Sequence, residues 1–311
     1  MAEERAIENV AIIGAGALGA IYGSIFYQMD KQCVSFIAGG NRYEQLRTEG
    51  VTVNGKVFNI PVYRPQDVRH PADLILVAVK RHQLQDAIGD MKMRVGPDTV
   101  IISVMNGIDS ERLIGAALGE EKVLYAIAVG IDAVRSGRLT TYSQQGKILF
   151  GEAKNVSVSL KVKQVQDFFI RAGINFETPP DMLRTLWWKF MINVGINQAS
   201  AVLRASYGAF QVPGEARELM EASMREVIAL AEKENVSLSD DDIQVWLDVL
   251  SGLRKEGKTS MLQDVEAGRK TEVEMFAGRI IELGRLHNVP TPTNARLFEQ
   301  IRKIEREIPV S

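Results

Sequence analysis

Hydrophobic positions in this chain follow two rhythms that change near residue 180. Before it, short apolar runs alternate with helix-compatible stretches. Asn9–Ile13, Cys33–Ala38, Asp73–Val79, Thr99–Val104, Lys122–Ile131 and Lys147–Phe150 each read as a strand. DLILVAV from Asp73 is apolar at almost every position, which predicts a strand covered on both faces, as in a parallel sheet. VTVNGKVF from Val51 turns at Asn54-Gly55, the pairing that favours a tight hairpin. A further turn is expected at Ser136-Gly137, a helix over 156–171 and a closing strand over 173–176.

From Asp181, a good helix N-cap, the apolar spacing becomes helical and strand candidates are few. Pro213 is placed to open a helix running to Glu234, and Ser239 another with Asp240, Asp241 and Asp242 in its first turn. Segments 260–266 and 271–287 follow, and Pro290 and Pro292 precede a terminal helix to about Glu307. The expected fold is α/β. A mostly parallel sheet with antiparallel additions covers residues 1–180, and an all-α domain covers 181–311.

The run Asn9–Ile13 leads directly into Gly14-Ala15-Gly16-Ala17-Leu18-Gly19 at the opening of a helix. In that setting G-x-G-x-x-G marks a Rossmann-like dinucleotide-binding domain. Gly14 serves the tight turn, Gly16 the approach of a pyrophosphate, and Gly19 the packing of helix on strand. Free N–H groups at the helix start then face the phosphates. NAD enzymes normally carry Asp or Glu at the end of the second strand for the ribose hydroxyls. Gly39-Gly40-Asn41-Arg42 stands there instead, so Arg42 is the candidate for a 2′-phosphate and NADP(H) the expected cofactor, with NAD(H) left open. A solvated Arg42 in a first helical turn is the bland alternative. Lys80 and Asn106 follow two of the apolar runs, at the edge where open α/β sheets bind ligands. Ordinary loop residues would look the same there.

Charge narrows the partners. With 37 basic and 39 acidic residues, a net of -2, nothing calls for nucleic acid or a membrane surface. No apolar run approaches the ~20 residues that span a bilayer. The opening MAEERAIENV lacks the basic and apolar blocks of a signal peptide, so a cytoplasmic protein is expected. Cys33 is alone, and with His70, His82 and His287 scattered, no metal-ligand spacing is present.

The densest chemistry lies in RTLWWKFMINVGIN, from Arg184 to Asn197. On an α-helix Lys189, Asn193 and Asn197 would stack an ammonium and two carboxamides along one face, with apolar residues on the others. Such a helix should be buried, and a buried polar row must find partners, either within the core or in a ligand. Ser260, just before Met261 and Leu262, is an N-cap candidate.

GAGALG, VAVK ending at Lys80, MNG at 105–107, LWWKFMINVGIN, SMLQDVEAGRKTEVE and HNVPTPTNARL occur in this order. Together they resemble the ketopantoate reductase (2-dehydropantoate 2-reductase) family across almost the whole chain. The resemblance implies reduction of ketopantoate to pantoate, a step of pantothenate and coenzyme A biosynthesis. It implies Lys189 as proton donor, Asn193, Asn197 and Ser260 as holders of the substrate, and Glu272 as an organiser of substrate and cofactor. Asn106 would contact both ligands, Lys80 the cofactor, and the backbone at Ala133 the nicotinamide end. The expected partner is a small 2-oxo acid in a crevice between the domains, with a homodimer left open. Three positions differ from the family pattern: Gly39 where a basic residue is expected, and Tyr207 and Gly257 where asparagines occur. Two further readings therefore stand. One is a sister D-2-hydroxyacid dehydrogenase with a different pocket. The other is a non-catalytic dinucleotide sensor, against which the retention of Lys189 and Glu272 speaks.

Overall fold

The protein, a computed structural model, is described over residues 6–67 and 70–307. The first five residues, on which the signal-peptide expectation partly rests, lie outside the described residues. The chain divides into two compact units, Met1–Leu183 and Arg184–Ser311.

Strands of the first unit are β1 (Val10–Ile13), β2 (Val34–Ile37), β3 (Val51–Val53), β4 (Lys56–Phe58), β5 (Val62–Tyr63) and β6 (Leu74–Val77). They continue with β7 (Val100–Ser103), β8 (Val123–Val129), β9 (Val134–Ser136), β10 (Leu139–Thr141), β11 (Lys147–Gly151) and β12 (Phe176–Glu177). Interspersed helices are α1 (Ala17–Met29), α2 (Gly40–Glu49), α3 (Leu84–Met91), α4 (Ser110–Leu118) and α5 (Leu160–Ala172). One eight-stranded sheet has the order β12-β11-β8-β7-β6-β1-β2-β5. Its strands from β8 through β5 are parallel, while β11 runs antiparallel to β8. The continuous apolar runs are explained by burial on both faces. Val10, Ile12, Leu74 and Leu76 join Tyr22 and Phe26 of α1 and Phe168 of α5, while Ala11, Ile13, Ile75 and Val77 join Leu84 and Ile88 of α3.

From β1 the chain moves to one side for β2 and returns on the other for β6. That reversal is the topological switch point, where ligands bind in open α/β sheets. A second sheet, β4-β3-β10-β9, joins two hairpins by parallel pairing of β3 with β10. The expected closing strand is shorter than its apolar run, because Gly173 adopts φ 67° as the C-cap of α5 and pairing starts only at Phe176.

The second unit is helical: α6 (Met182–Ile192, shared across the boundary), α7 (Gln198–Leu203), α8 (Glu215–Lys233), α9 (Asp240–Ser251), α10 (Ser260–Glu266), α11 (Arg279–His287) and α12 (Pro292–Arg306). Two expectations about helix starts are corrected. Pro213 lies outside α8, whose N-cap is Gly214. Thr259, and not Ser260, caps α10: its hydroxyl oxygen accepts from the Leu262 N–H at 3.2 Å. Ser239 forms the expected cap of α9 with Asp242. No helix among the described residues is long and apolar enough to cross a membrane, and none of their His, Cys, Asp and Glu side chains group in threes suited to a metal ion.

Candidate functional site

The glycine-rich turn sits at the switch point, packed backbone against backbone. Gly14 has φ 99°, and a Cβ there would stand 2.5 Å from the Ala78 carbonyl oxygen, just past β6. A Cβ on Gly19 would stand 1.8 Å from the Gly14 carbonyl oxygen. Both positions therefore require glycine. Gly16 is the N-cap of α1 and supplies no capping side chain, and no acid occupies the first turn, which includes Ala17 and Leu18. The amide ends and the positive pole of the helix are left for an anion.

Two guanidiniums converge on this turn. Arg42, in the first turn of α2, donates from Nη2 to the Ala15 carbonyl at 2.6 Å. Arg135, on β9, donates from Nη1 to the same oxygen at 2.7 Å. Both are half-buried, and loss of hydration pulls each below the usual arginine range, with Arg42 adding to the effect at Arg135. Arg135 was not among the expected residues. No local motif marks it, since only the pairing of the second sheet brings β9 near a turn 120 residues earlier. A backbone without obstructing Cβ atoms, an uncapped helix start and two cations suit the phosphates of a dinucleotide.

The other expected cofactor residues follow three adjacent strands at the same edge. Lys80 lies exposed beyond β6, Asn106 half-buried beyond β7, and Ala133 half-buried beyond β8. At the start of α4, the buried Glu111 accepts from the Ser110 hydroxyl at 2.9 Å, and that hydroxyl accepts from Ser103 of β7 at 2.9 Å. Burial pushes the Glu111 carboxyl up to about 7.

In the second unit the expected α-helical row is altered. The helix passes from α6 into a π-helical turn, Asn193–Asn197, before resuming as α7. The backbone N–H of Gln198 bonds to Gly195, and the Gln198 side chain donates to the Val194 carbonyl at 2.7 Å. Gly195 permits this, because a Cβ there would lie 2.4 Å from Cε and 2.6 Å from Cγ of Met224 on α8. Asn193 and Asn197 are buried in the widened turn, and Lys189 is half-buried one turn before it. Desolvation draws the Lys189 ammonium below the ordinary lysine range.

A second π-helical turn, Glu274–Gly278, follows the half-buried Glu272. Its Gly278 N–H reaches back five residues to Val273, and the displaced Ala277 N–H donates to Gln198 Oε1 at 3.0 Å. Phe190, beside Lys189, packs on Phe276 of this turn with ring centroids 6.3 Å apart. The exposed Ser260 opens α10, anchored to α7 by a Thr259–Ser200 hydroxyl bond of 3.2 Å. Lys189, the two asparagines, Ser260 and Glu272 thus belong to segments that pack around the paired π turns.

A glycine turn of this form at the switch point of a doubly wound sheet, carried with a helical second unit, marks a dinucleotide-binding class of protein. Comparison makes the class specific. The family model described as Ketopantoate reductase PanE/ApbA matches residues 10–155, and its C-terminal counterpart matches residues 181–305. The chain belongs to the ketopantoate reductase family. The 2-dehydropantoate 2-reductase of Aquifex aeolicus (strain VF5) is 26% identical over 302 residues, covering 94% of this chain and 96% of that one. Among solved structures, a 2-dehydropantoate 2-reductase from Methylococcus capsulatus superposes with a TM-score of 0.81 at 25% identity, over 97% of this chain and 98% of the other. D-mandelate dehydrogenase, in a ternary structure with NADH and anilino(oxo)acetate, shares the fold at a TM-score of 0.85 and 22% identity, over 96% and 99%.

Proposed function

We propose that this protein reduces ketopantoate, or a similarly branched 2-oxo acid, to the 2-hydroxy acid with NADPH. The observation that carries the reading is Lys189, a half-buried ammonium one turn ahead of the turn that holds two buried carboxamides, in a chain of this family. When bound, the dinucleotide supplies a hydride to the carbonyl carbon. The carbonyl π electrons then settle on oxygen, and Lys189 transfers a proton to that oxygen as the C–H bond forms. Desolvation makes Lys189 a stronger acid than a lysine in water, which favours the transfer. Asn193 and Asn197 do not titrate, so their amides hold and orient the substrate, with the Ser260 hydroxyl as a third donor. Glu272 organises the substrate and cofactor, and Lys80, Asn106 and the Ala133 backbone hold the cofactor beside the glycine turn. NADPH is chosen over NADH because no carboxylate follows β2 and Arg42 reaches the turn.

Replacing Lys189 by Ala should lower kcat by roughly 10²–10⁴ while leaving NADPH binding intact. Single-turnover hydride transfer by the folded variant, saturated with NADPH, measures this directly. A rate within about threefold of wild type would assign Lys189 a structural role.

A second reading, a D-2-hydroxyacid dehydrogenase with a larger apolar substrate, is favoured by one contact. The Tyr207 ring lies over Gly257, its Cδ2 2.6 Å from where a Cβ would stand, and the Tyr207 N–H donates to the Gly257 carbonyl at 2.9 Å. An aromatic ring thus occupies one of the two positions where asparagines occur in the family pattern and covers the other.

A further inference from the structure

We infer that Arg135 is the second arm of an anion clamp, with Arg42 the first, that grips the 2′-phosphate on the adenosine ribose of the cofactor. The inference rests on the NADPH reading and adds to it a residue from a different sheet. Both guanidiniums reach the Ala15 carbonyl, one neutral acceptor shared by two cations. Their other contacts are with neutral groups: Arg42 with Gln45 Oε1 at 3.5 Å, and Arg135 Nε with the Gly137 carbonyl at 3.0 Å. Among the described residues neither has a carboxylate partner, although carboxylates are close at hand. Glu44 pairs with Arg47 and Arg64 instead, and Glu49 with Arg138. Two like charges held together, half out of water and without an acid, are unfavourable until an anion joins them.

The geometry also says which anion. Arg42 stands at the start of α2, directly after β2, where a dinucleotide's adenosine ribose is recognised. A phosphate monoester carries a charge of about -1.5 to -2 near neutrality, which matches two guanidiniums. Each guanidinium has donors beyond the one spent on Ala15, so both can grip phosphate oxygens in a fork. The β9–β10 hairpin thereby becomes part of cofactor selection.

Calorimetric binding of NADPH, NADH, 2′,5′-ADP and 5′-ADP tests this without turnover. Wild type should bind the 2′-phosphorylated member of each pair more tightly. Arg135→Ala should weaken NADPH and 2′,5′-ADP by about 10- to 100-fold and NADH and 5′-ADP by less than about threefold, as expected for one charged hydrogen-bonding partner. Arg135→Lys should recover part of the loss, since charge remains and the fork does not. Equal losses for NADPH and NADH in Arg135→Ala would overturn the assignment, placing Arg135 at the shared pyrophosphate or the turn itself. No loss while Arg42→Ala abolishes the 2′-phosphate preference removes the second arm alone. A wild type that does not distinguish NADPH from NADH removes the cofactor reading and the clamp together, and leaves the Lys189 chemistry to be judged by its own experiment.

Discussion

Burial acts on two ionisable groups of opposite type, Lys189 in α6 and Glu111 in α4, and in each it disfavours the charged form. For Lys189 the consequence is chemical, an ammonium readier to release its proton. For Glu111 it is a stability effect. Its carboxyl titrates near 4.5 when exposed and is raised to about 7 in the fold, chiefly by burial, with the Ser110 hydroxyl opposing the rise. The folded state therefore holds the proton more tightly than the unfolded chain. The associated stability is complete below 4.5 and is lost as pH rises through about 7. Glu111→Gln keeps a carbonyl to accept from Ser110 and cannot ionise. Relative to wild type it should gain on the order of 3 kcal/mol between pH 4.5 and pH 8, because each pH unit separating the folded and unfolded titrations is worth about 1.36 kcal/mol. Thermal unfolding at pH 5 and pH 8 measures the gain, and a difference that does not change with pH would refute the buried-proton account. Lys189 is legible in the sequence because its apolar helix announces burial. Glu111 is not, since a carboxylate in a first helical turn reads as an ordinary dipole partner and only the tertiary packing buries it.

At the scale of elements, hydrophobic period located the helices but not how two of them are wound. Four-residue spacing of Lys189, Asn193 and Asn197 predicts a straight α-helical row, yet an inserted π turn leaves the apolar pattern on either side unchanged. The signals are Gly195, which has no side chain to keep α8 away, and Gln198, a buried amide inside an apolar helix. Gln198 bonds to one backbone group of each π turn: it donates to the Val194 carbonyl and accepts from the Ala277 N–H. Asn294 then accepts from Gln198 at 3.0 Å and donates to Glu226 of α8, which fixes the amide's orientation. Such turns are frequent at functional sites because they re-aim side chains that a regular helix would stack. Gly195→Ala tests the packing half of this account. The added methyl must displace Met224 or α8, an overpacking that should cost about 1–3 kcal/mol. Denaturant unfolding gives the value, and substrate KM should rise with it while NADPH affinity in the first unit stays near wild type. A variant as stable as wild type would show that Met224 simply rotates away.

For the molecule as a whole, the first unit was the more legible. Strands buried on both faces write themselves as unbroken apolar runs, and the glycine turn fixes which strand comes first at the switch point. What the sequence does not display is pairing between distant hairpins, here β3 with β10, and Arg135 was missed for that reason. The same limit applies to substrate choice. Tyr207 and Gly257 are 50 residues apart in the numbering and read singly as departures from a family pattern, whereas the structure joins them by a backbone bond and a ring contact close in sequence to Ser260. An amide that hydrogen-bonds a substrate hydroxyl can reject the analogue lacking it by 10⁴–10⁵, while an apolar wall discriminates a hydroxyl only weakly, by about 10² or less. The aromatic cover over Gly257 therefore predicts that branching beside the carbonyl matters more than the terminal hydroxyl. Ketopantoate should be reduced, and 3-methyl-2-oxobutanoate, which lacks the hydroxymethyl group, should be used with a kcat/KM within about 100-fold of it. Assaying both with NADPH, beside a straight-chain and an aromatic 2-oxo acid, settles the matter. A preference for ketopantoate over the hydroxyl-free acid of 10⁴ or more would mean that amides elsewhere read the hydroxyl and that Tyr207 is only structural. If the aromatic acid exceeds ketopantoate by about tenfold or more, the pocket is that of a D-2-hydroxyacid dehydrogenase, and Tyr207 over Gly257 is the contact that made it so.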